Sequence, residues 1–212
     1  MINFNSIRVT FNGLSLFDNF SLRIGKGQKI IITGKSGTGK STLLKLIPGL
    51  APVSSGSVTV DSTVLCRKTV HDIRKKISYV SQGVDIFGDT VQSFLNRIFT
   101  FKANSHLKFD TEKIKDLFDC FELPDVLMKR NIDDLSGGEK QRVALVAAVL
   151  LERHIFLLDE PTASLDVHLK QKVASYFLSN QGWTVLAISH DREWLHDPSA
   201  TVLKLGEHAH GS

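Results

Sequence analysis

The sequence predicts an α/β fold built around a mostly parallel central sheet. Three observations carry that prediction. Short apolar strands alternate with helix-patterned stretches along the chain. A continuous apolar triplet, Ile30, Ile31, Ile32, runs straight into a glycine-rich turn. A second apolar run, Ile155 to Leu158, ends in the acid pair Asp159 and Glu160. Alternation of strands with helices favours a parallel sheet, and the strands of such a sheet are apolar on both faces.

Each element has a local reason. Ile7, Val9 and Phe11 alternate with polar residues, and Ser21 to Ile24 alternates again, so both read as strands. After the Ile30–Ile32 strand a helix is expected from about Gly39, stopped by Pro48 and Gly49. Val58, Val60 and Val64 suggest further strand. Thr90 to Thr100 and Thr111 to Phe121 have helical spacing, the second with Asp110 as its N-cap. The run Val143 to Leu151 has the length of a buried core helix, far short of a membrane span. Ile155 to Leu158, Thr184 to Ser189 and Thr201 to Leu205 read as strands. The stretch from about Gly83 to Leu135 is helix-rich and carries no strand signal, so it reads as a helical subdomain inserted into the α/β core. The tail, Gly206 to Ser212 with His208 and His210, reads as frayed.

Composition narrows the function classes. A chain of 212 residues is expected to form one domain, and 42% hydrophobic with 23% charged residues excludes intrinsic disorder. The two cysteines, Cys66 and Cys120, sit in no CxxC pair, which argues against a zinc knuckle or a disulfide framework. They read as buried free thiols in a reducing compartment. The N-terminus, Met1 to Asn5, lacks the basic-then-apolar order of a signal peptide. A cytoplasmic protein that reaches a membrane only through a partner is therefore expected. The net charge of +4 is mild, and the one tight basic run, Arg74, Lys75, Lys76, reads as a solvated helix face. No nucleic-acid partner is expected.

Chemistry concentrates in three places. Gly34, Lys35, Ser36, Gly37, Thr38, Gly39, Lys40 and Ser41, followed by Thr42, match GxxxxGK[ST]. Glycines there let successive N–H groups curl toward phosphate oxygens, and the following helix offers its positive end. Lys40 suits the β- and γ-phosphates, and the Ser41 hydroxyl suits Mg²⁺. Asp159 and Glu160 emerge from the end of a buried strand, where open α/β sheets place their ligands. Asp159 is expected to hold the metal, and Glu160 to polarise the attacking water as a general base. Leu135, Ser136, Gly137, Gly138, Glu139, Lys140, Gln141 and Arg142 form a second anion-binding helix start.

With that last stretch the chain resembles the ATP-binding cassette (ABC) family, whose signature reads LSGGQ or, as here, LSGGE. The resemblance covers nearly the whole chain, with the motifs in family order. It implies a single ABC ATPase domain over 1–212: an antiparallel β subdomain and P-loop core over 1–82, a helical subdomain over 83–135, and signature helix, Walker B and remaining core over 136–212. It implies that Phe11 stacks on adenine and that Gln82 reaches Mg²⁺ and the water. Ser164, Leu165 and Asp166 match the D-loop, and His190 matches the switch histidine that contacts the γ-phosphate. Gln82, Lys40, Glu160 and His190 form the implied catalytic set, with Ser41, Gln82 and Asp159 around Mg²⁺. In this family two cassettes pair head to tail. Each ATP then lies between one P-loop and the partner's Ser136, Gly137, Gly138 and Glu139, in a homodimer or a cassette heterodimer.

The implied function is the ATPase subunit of a transporter, peripheral on the cytoplasmic face of the membrane and working with a separately encoded permease. Ile86 to Thr90 and Leu123 to Asp125 further resemble a small bacterial group of iron-export ATP-binding subunits, although the histidines do not cluster as ligands. A soluble cassette with a scaffold role, as in iron–sulfur assembly, is the alternative. DNA-repair cassettes need a long coiled coil between P-loop and signature, and no sustained heptads occur here.

Overall fold

The computed structural model describes residues 1–11, 14–84, 86 and 88–206; the side chains of Phe11 and Leu14, together with Phe87, His208 and His210, fall outside the described set. In chain order the elements are β1 (Ile2–Phe11), β2 (Leu14–Ile24), β3 (Lys29–Thr33), α1 (Lys40–Leu46), β4 (Ser55–Val60), β5 (Thr63–Val64), α2 (Val70–Arg74), β6 (Ile77–Val80), α3 (Val91–Thr100), α4 (Thr111–Cys120), α5 (Gly137–Leu150), β7 (Ile155–Asp159), α6 (Val167–Ser179), β8 (Thr184–Ile188), α7 (Arg192–Leu195) and β9 (Ala200–Lys204).

Two sheets result. An antiparallel sheet has the order β2-β1-β4-β5, and a fully parallel one has the order β6-β7-β8-β3-β9. Side chains alternate across a strand, and the apolar runs divide accordingly. Ile30 and Ile32 of β3, with Ile155 and Leu157 of β7, join the core shared with α1 and the antiparallel sheet. Ile31, Phe156 and Leu158 point the other way, into the core formed with α5 and α6. This two-sided burial is why those stretches carry no polar alternation. Among the described residues, no helix is long and apolar enough to cross a membrane.

The strand order positions the site. β8 lies between β3 and β7, and β6 flanks β7. The loops leaving β3, β8, β7 and β6 at their C-terminal ends are therefore neighbours, although they come from opposite ends of the sequence. They carry the glycine-rich loop, His190, the Asp159–Glu160 pair and Gln82.

Between β6 and α5 the chain is helical. α3 is capped by the Thr90 side chain, which accepts from the Ser93 N–H at 3.2 Å; α4 is capped by Asp110, which accepts from Lys113 N–H at 3.2 Å. Three single-turn 3-10 helices, at Lys102–Asn104, Asp125–Lys129 and Ile132–Asp134, complete this region. An isolated antiparallel bridge, Thr90 to Asn131, ties its ends together.

Several features depart from the sequence reading. Strand β6 and helices α6 and α7 have no counterpart in it, and α2 is met only at its end, where the basic run read as a solvated helix face begins at the exposed Arg74. The expectation of two buried thiols is overturned: Cys66 is exposed and Cys120 is only half-buried. Cys66 opens an exposed turn in which Thr69 accepts its N–H at 3.0 Å, so no core closes over the sulfur. The basic run is bound to its own chain. Arg74 donates to the Pro48 carbonyl at 2.8 Å, just beyond α1, while Lys75 pairs with Asp72 at 2.9 Å and Lys76 with Asp61 at 3.4 Å.

Candidate functional site

The glycine-rich loop curls because its glycines permit it. Gly34 has φ 147°, and a Cβ there would fall 2.5 Å from the Leu205 carbonyl oxygen of the neighbouring strand end. Gly39, the N-cap of α1, has φ 88°, and its missing Cβ leaves room for the Phe17 ring. Thr38 braces the loop by donating to the Lys35 carbonyl at 3.0 Å. Lys40 Nζ folds over the loop and donates to the carbonyls of Gly34 and Lys35 at 2.8 and 3.0 Å.

Around this loop lies a cleft of about 410 Å³. Ser36, Gly37, Gly39, Lys40, Ser41, Thr42, Gln82, Asp159, Glu160 and His190 line it. Gly34, Lys35 and Thr38 shape the loop from outside that lining. Leu16 and Ile188 also line the cleft and were not read as site residues from the sequence. Their signal was weak: Leu16 precedes the alternating stretch of its strand, and Ile188 reads simply as strand. Phe11, expected at the adenine, has its side chain outside the described residues.

Two carboxylates, Asp159 buried and Glu160 partly buried, set the electrostatics. Asp159 is 3% exposed and lines the cleft with Ser41. Burial holds its carboxyl above the usual range, against the pull of Ser41, Lys45 and Lys40. Glu160 is raised likewise, by burial first, with His190 opposing and Asp159 adding to the rise. Glu160 adopts φ 51°, a left-handed conformation uncommon for a residue with a Cβ. Its N–H donates to the Ile188 carbonyl at 3.0 Å, which pins the turn against β8. Its Oε1 lies 3.7 Å from His190 Nε2, and His190 Nδ1 lies 3.4 Å from the Thr33 hydroxyl. The cleft thus gathers one ammonium, three hydroxyls, two carboxylates, one imidazole and one amide.

The burial of Asp159 has a measurable consequence. A raised carboxyl pKa means the folded state resists the charge, so this group destabilises the apo fold at pH values above its folded pKa. Asp159→Asn is expected to raise Tm at pH 7.5 by roughly 2–4 °C, the shift that about 1 kcal/mol produces in a chain of this size. The gain should shrink as pH falls and the native carboxyl takes up its proton. A Tm lowered at pH 7.5, or a difference independent of pH, would contradict this.

The LSGGE stretch sits elsewhere. Ser136 is the N-cap of α5 and accepts from the Glu139 N–H at 3.2 Å, while Glu139 Oε2 accepts from the Ser136 N–H at 2.8 Å. This reciprocal capping box engages Glu139 within its own chain. Gly138 packs on the Ser164–Asp166 segment: a Cβ there would meet the Ser164 carbonyl oxygen at 3.0 Å. Asp166 in turn caps α6 by accepting from Leu169 N–H at 2.9 Å, and Leu165 is buried. Arg142 anchors α5 to the end of α4, donating to the carbonyls of Phe121 and Glu122 at 3.0 and 2.8 Å. None of the residues Ser136 to Glu139 or Ser164 to Asp166 lines the cleft at Lys40.

Fold and site define a P-loop ATPase with a second helix start, at Ser136 to Gly138, outside the cleft at Lys40, and over residues 17–163 the chain matches the ABC transporter family model, to which family it belongs. It is an ATPase of that family. It is 35% identical over 194 residues to the probable iron export ATP-binding protein FetA of Escherichia coli (strain K12), a match covering 90% of this chain and 84% of that protein. It is 31% identical over 216 residues to the spermidine/putrescine import ATP-binding protein PotA of Desulfitobacterium hafniense (strain Y51), covering 98% of this chain and 60% of that one. Among solved structures, the dimeric post-hydrolysis state of the ATP-binding cassette MJ0796 bound to ADP and Pi superposes with a TM-score of 0.84. That match is at 25% identity and covers 97% of this chain and 94% of the other.

Proposed function

We propose that the chain drives a separately encoded membrane permease by hydrolysing ATP at the interface of two head-to-tail cassettes, from the cytoplasmic face of the membrane. The observation that carries this is the separation of the Ser136 helix start from the Lys40 cleft. One chain presents two phosphate-binding ends that do not meet, and a second copy, or a sister cassette, completes each site. In this reading Lys40 spans the β- and γ-phosphates, with Ser36 to Thr42 cradling them and Phe11 against the adenine. Glu160 orients the water and accepts its proton, and His190 contacts the γ-phosphate. Ser136, Gly137 and Gly138 act on the partner's nucleotide, Glu139 holds their helix start in shape, and Ser164 to Asp166 line the seam.

The donors at the cleft suit Mg²⁺. The Ser41 hydroxyl, the Asp159 carboxylate and the Gln82 amide line one cleft. These are hard oxygen donors, of the type that holds Mg²⁺ beside substrate phosphates. When bound, the ion neutralises charge on the β- and γ-phosphate oxygens.

A groove of about 230 Å³ beside Gln82 supports the permease reading. Val80, Val84, Ile86 and Phe94 line it with the α5 face at Ala144 and Ala148. It joins the helical region, proposed as the subdomain over 83–135, to the strand that leads into Gln82. A coupling segment seated there would act directly on the nucleotide cleft. FetA is named for export and PotA for import, so the proposal stops at ATP-driven transport. Co-expression with a cognate permease subunit should yield a detergent-stable complex with stimulated ATPase activity. Val84→Glu, at the mouth of the groove, should prevent co-purification while the isolated chain still hydrolyses ATP. Full native activity with no membrane protein ever retained would favour a scaffold role instead.

A further inference from the structure

We infer that Asp191, Lys170 and Thr162 form a positioning clamp that fixes the base of His190 relative to Glu160 and ties it to the helix following the Ser164–Asp166 segment. The inference rests on the reading of Glu160 and His190 as site residues. Asp191 Oδ1 accepts from Lys170 Nζ at 2.6 Å, and Oδ2 accepts from the Thr162 hydroxyl at 2.7 Å. Both carboxylate oxygens are therefore engaged, away from nucleotide chemistry. Lys170 and Asp191 are only 21% and 19% exposed, so water competes weakly for the pair.

The proton positions follow from the donors. The indole N–H of Trp194, fully buried, reaches Thr162 Oγ1 at 3.0 Å. An indole nitrogen can only donate. Thr162 therefore accepts from it, and its own hydrogen points to Asp191. The Asp191 N–H in turn donates to the buried Ser189 hydroxyl at 3.1 Å. His190 thus hangs between two anchored neighbours, while its own ring stays half-exposed beside Glu160.

The three arms come from three functional segments. Thr162 lies in the turn after Glu160, where the Ala163 N–H donates to the Glu160 carbonyl at 3.3 Å and the Leu165 N–H to the Thr162 carbonyl at 3.1 Å. Lys170 belongs to the first turn of α6 and donates its N–H to the Asp166 carbonyl at 2.9 Å. Asp191 follows His190. A displacement of α6 at the Asp166 end is transmitted through Lys170 to the peptide that carries the imidazole. Removing one partner leaves a half-buried charge uncompensated.

The test uses the full chain and steady-state ATP hydrolysis, with fluorescent-ATP binding and Tm measured alongside. Lys170→Met should lower kcat roughly ten- to hundredfold, the loss produced by small misplacements of catalytic groups, with KM for MgATP within threefold. Lys170→Arg should restore at least half of the native kcat. Lys170→Met combined with Asp191→Asn should be no slower than Lys170→Met alone. A kcat within twofold of native in Lys170→Met, or no rescue by arginine, overturns the clamp. Should Lys170→Met fail to fold, Lys170→Gln and Asp191→Asn decide: matched kcat losses uphold it, and native kcat in either overturns it. The site reading fails separately, if Glu160→Gln keeps native turnover. Native kcat in Lys170→Met beside an inactive Glu160→Gln sinks the clamp alone.

Discussion

Lys40→Ala is expected to lose at least about a hundredfold in ATP turnover, the scale on which removal of one preorganised charge-stabilising donor acts. MgATP binding should weaken roughly ten- to hundredfold, as charge-assisted hydrogen bonds contribute about 1.5–3 kcal/mol. The reason is local. Lys40 is the ammonium lining the cleft, and its hold on the Gly34 and Lys35 carbonyls also keeps the loop curled around the anion. The fold should survive, because α1 is buried through Leu43, Leu44 and Leu46 rather than through Lys40. Turnover within twofold of native, measured by phosphate release, would remove the glycine-rich loop from the mechanism.

Glu160→Gln should separate hydrolysis from binding. It keeps the shape and one carbonyl oxygen but loses the proton acceptor, so hydrolysis should fall by about 10²–10⁴-fold. ATP binding should persist, because Lys40, Ser41 and Asp159 are untouched. The unhydrolysed nucleotide should then hold two chains together, giving a dimer on size exclusion with ATP and a monomer with ADP. Adding Ser136→Arg should abolish that dimer. The Ser136 oxygen already accepts the Glu139 N–H within its own helix, which leaves its O–H free to donate to an anion across the interface. The arginine also removes the cap, at a cost of about 1 kcal/mol, so its Tm must show a folded chain. A Glu160→Gln protein that binds ATP tightly yet stays monomeric at high concentration would count against the shared site.

Much of the cleft was legible because its parts are local. Gly34 to Ser41 and Ile155 to Glu160 each encode strand, turn and chemistry within a few residues. The Ser136–Glu139 box was legible too: a serine followed three residues later by glutamate marks a helix start, yet the sequence reading placed Glu139 only at the partner's nucleotide. Strand β6 escaped because Ser78 interrupts its apolar pattern, and only the fold supplies the buried Ala148 carbonyl that accepts from the Ser78 hydroxyl at 2.8 Å. The position of His190 beside Glu160 could not be read locally. It depends on β8 inserting between β3 and β7, a pairing with no signature within any of the three strands.

That insertion also has a temporal side. Ile31 of β3 pairs with Ala187 on one edge and Val202 on the other. Both partners leave the ribosome long after β3 does, so the strand that leads into the glycine-rich loop waits through most of synthesis with two bare, apolar edges. Contacts so distant in sequence slow folding, and unpaired strand edges invite association with other chains. The arrangement that gathers the nucleotide cleft from distant stretches of the polypeptide therefore makes β3 of the nascent chain dependent on the much later segment that holds β8 and β9.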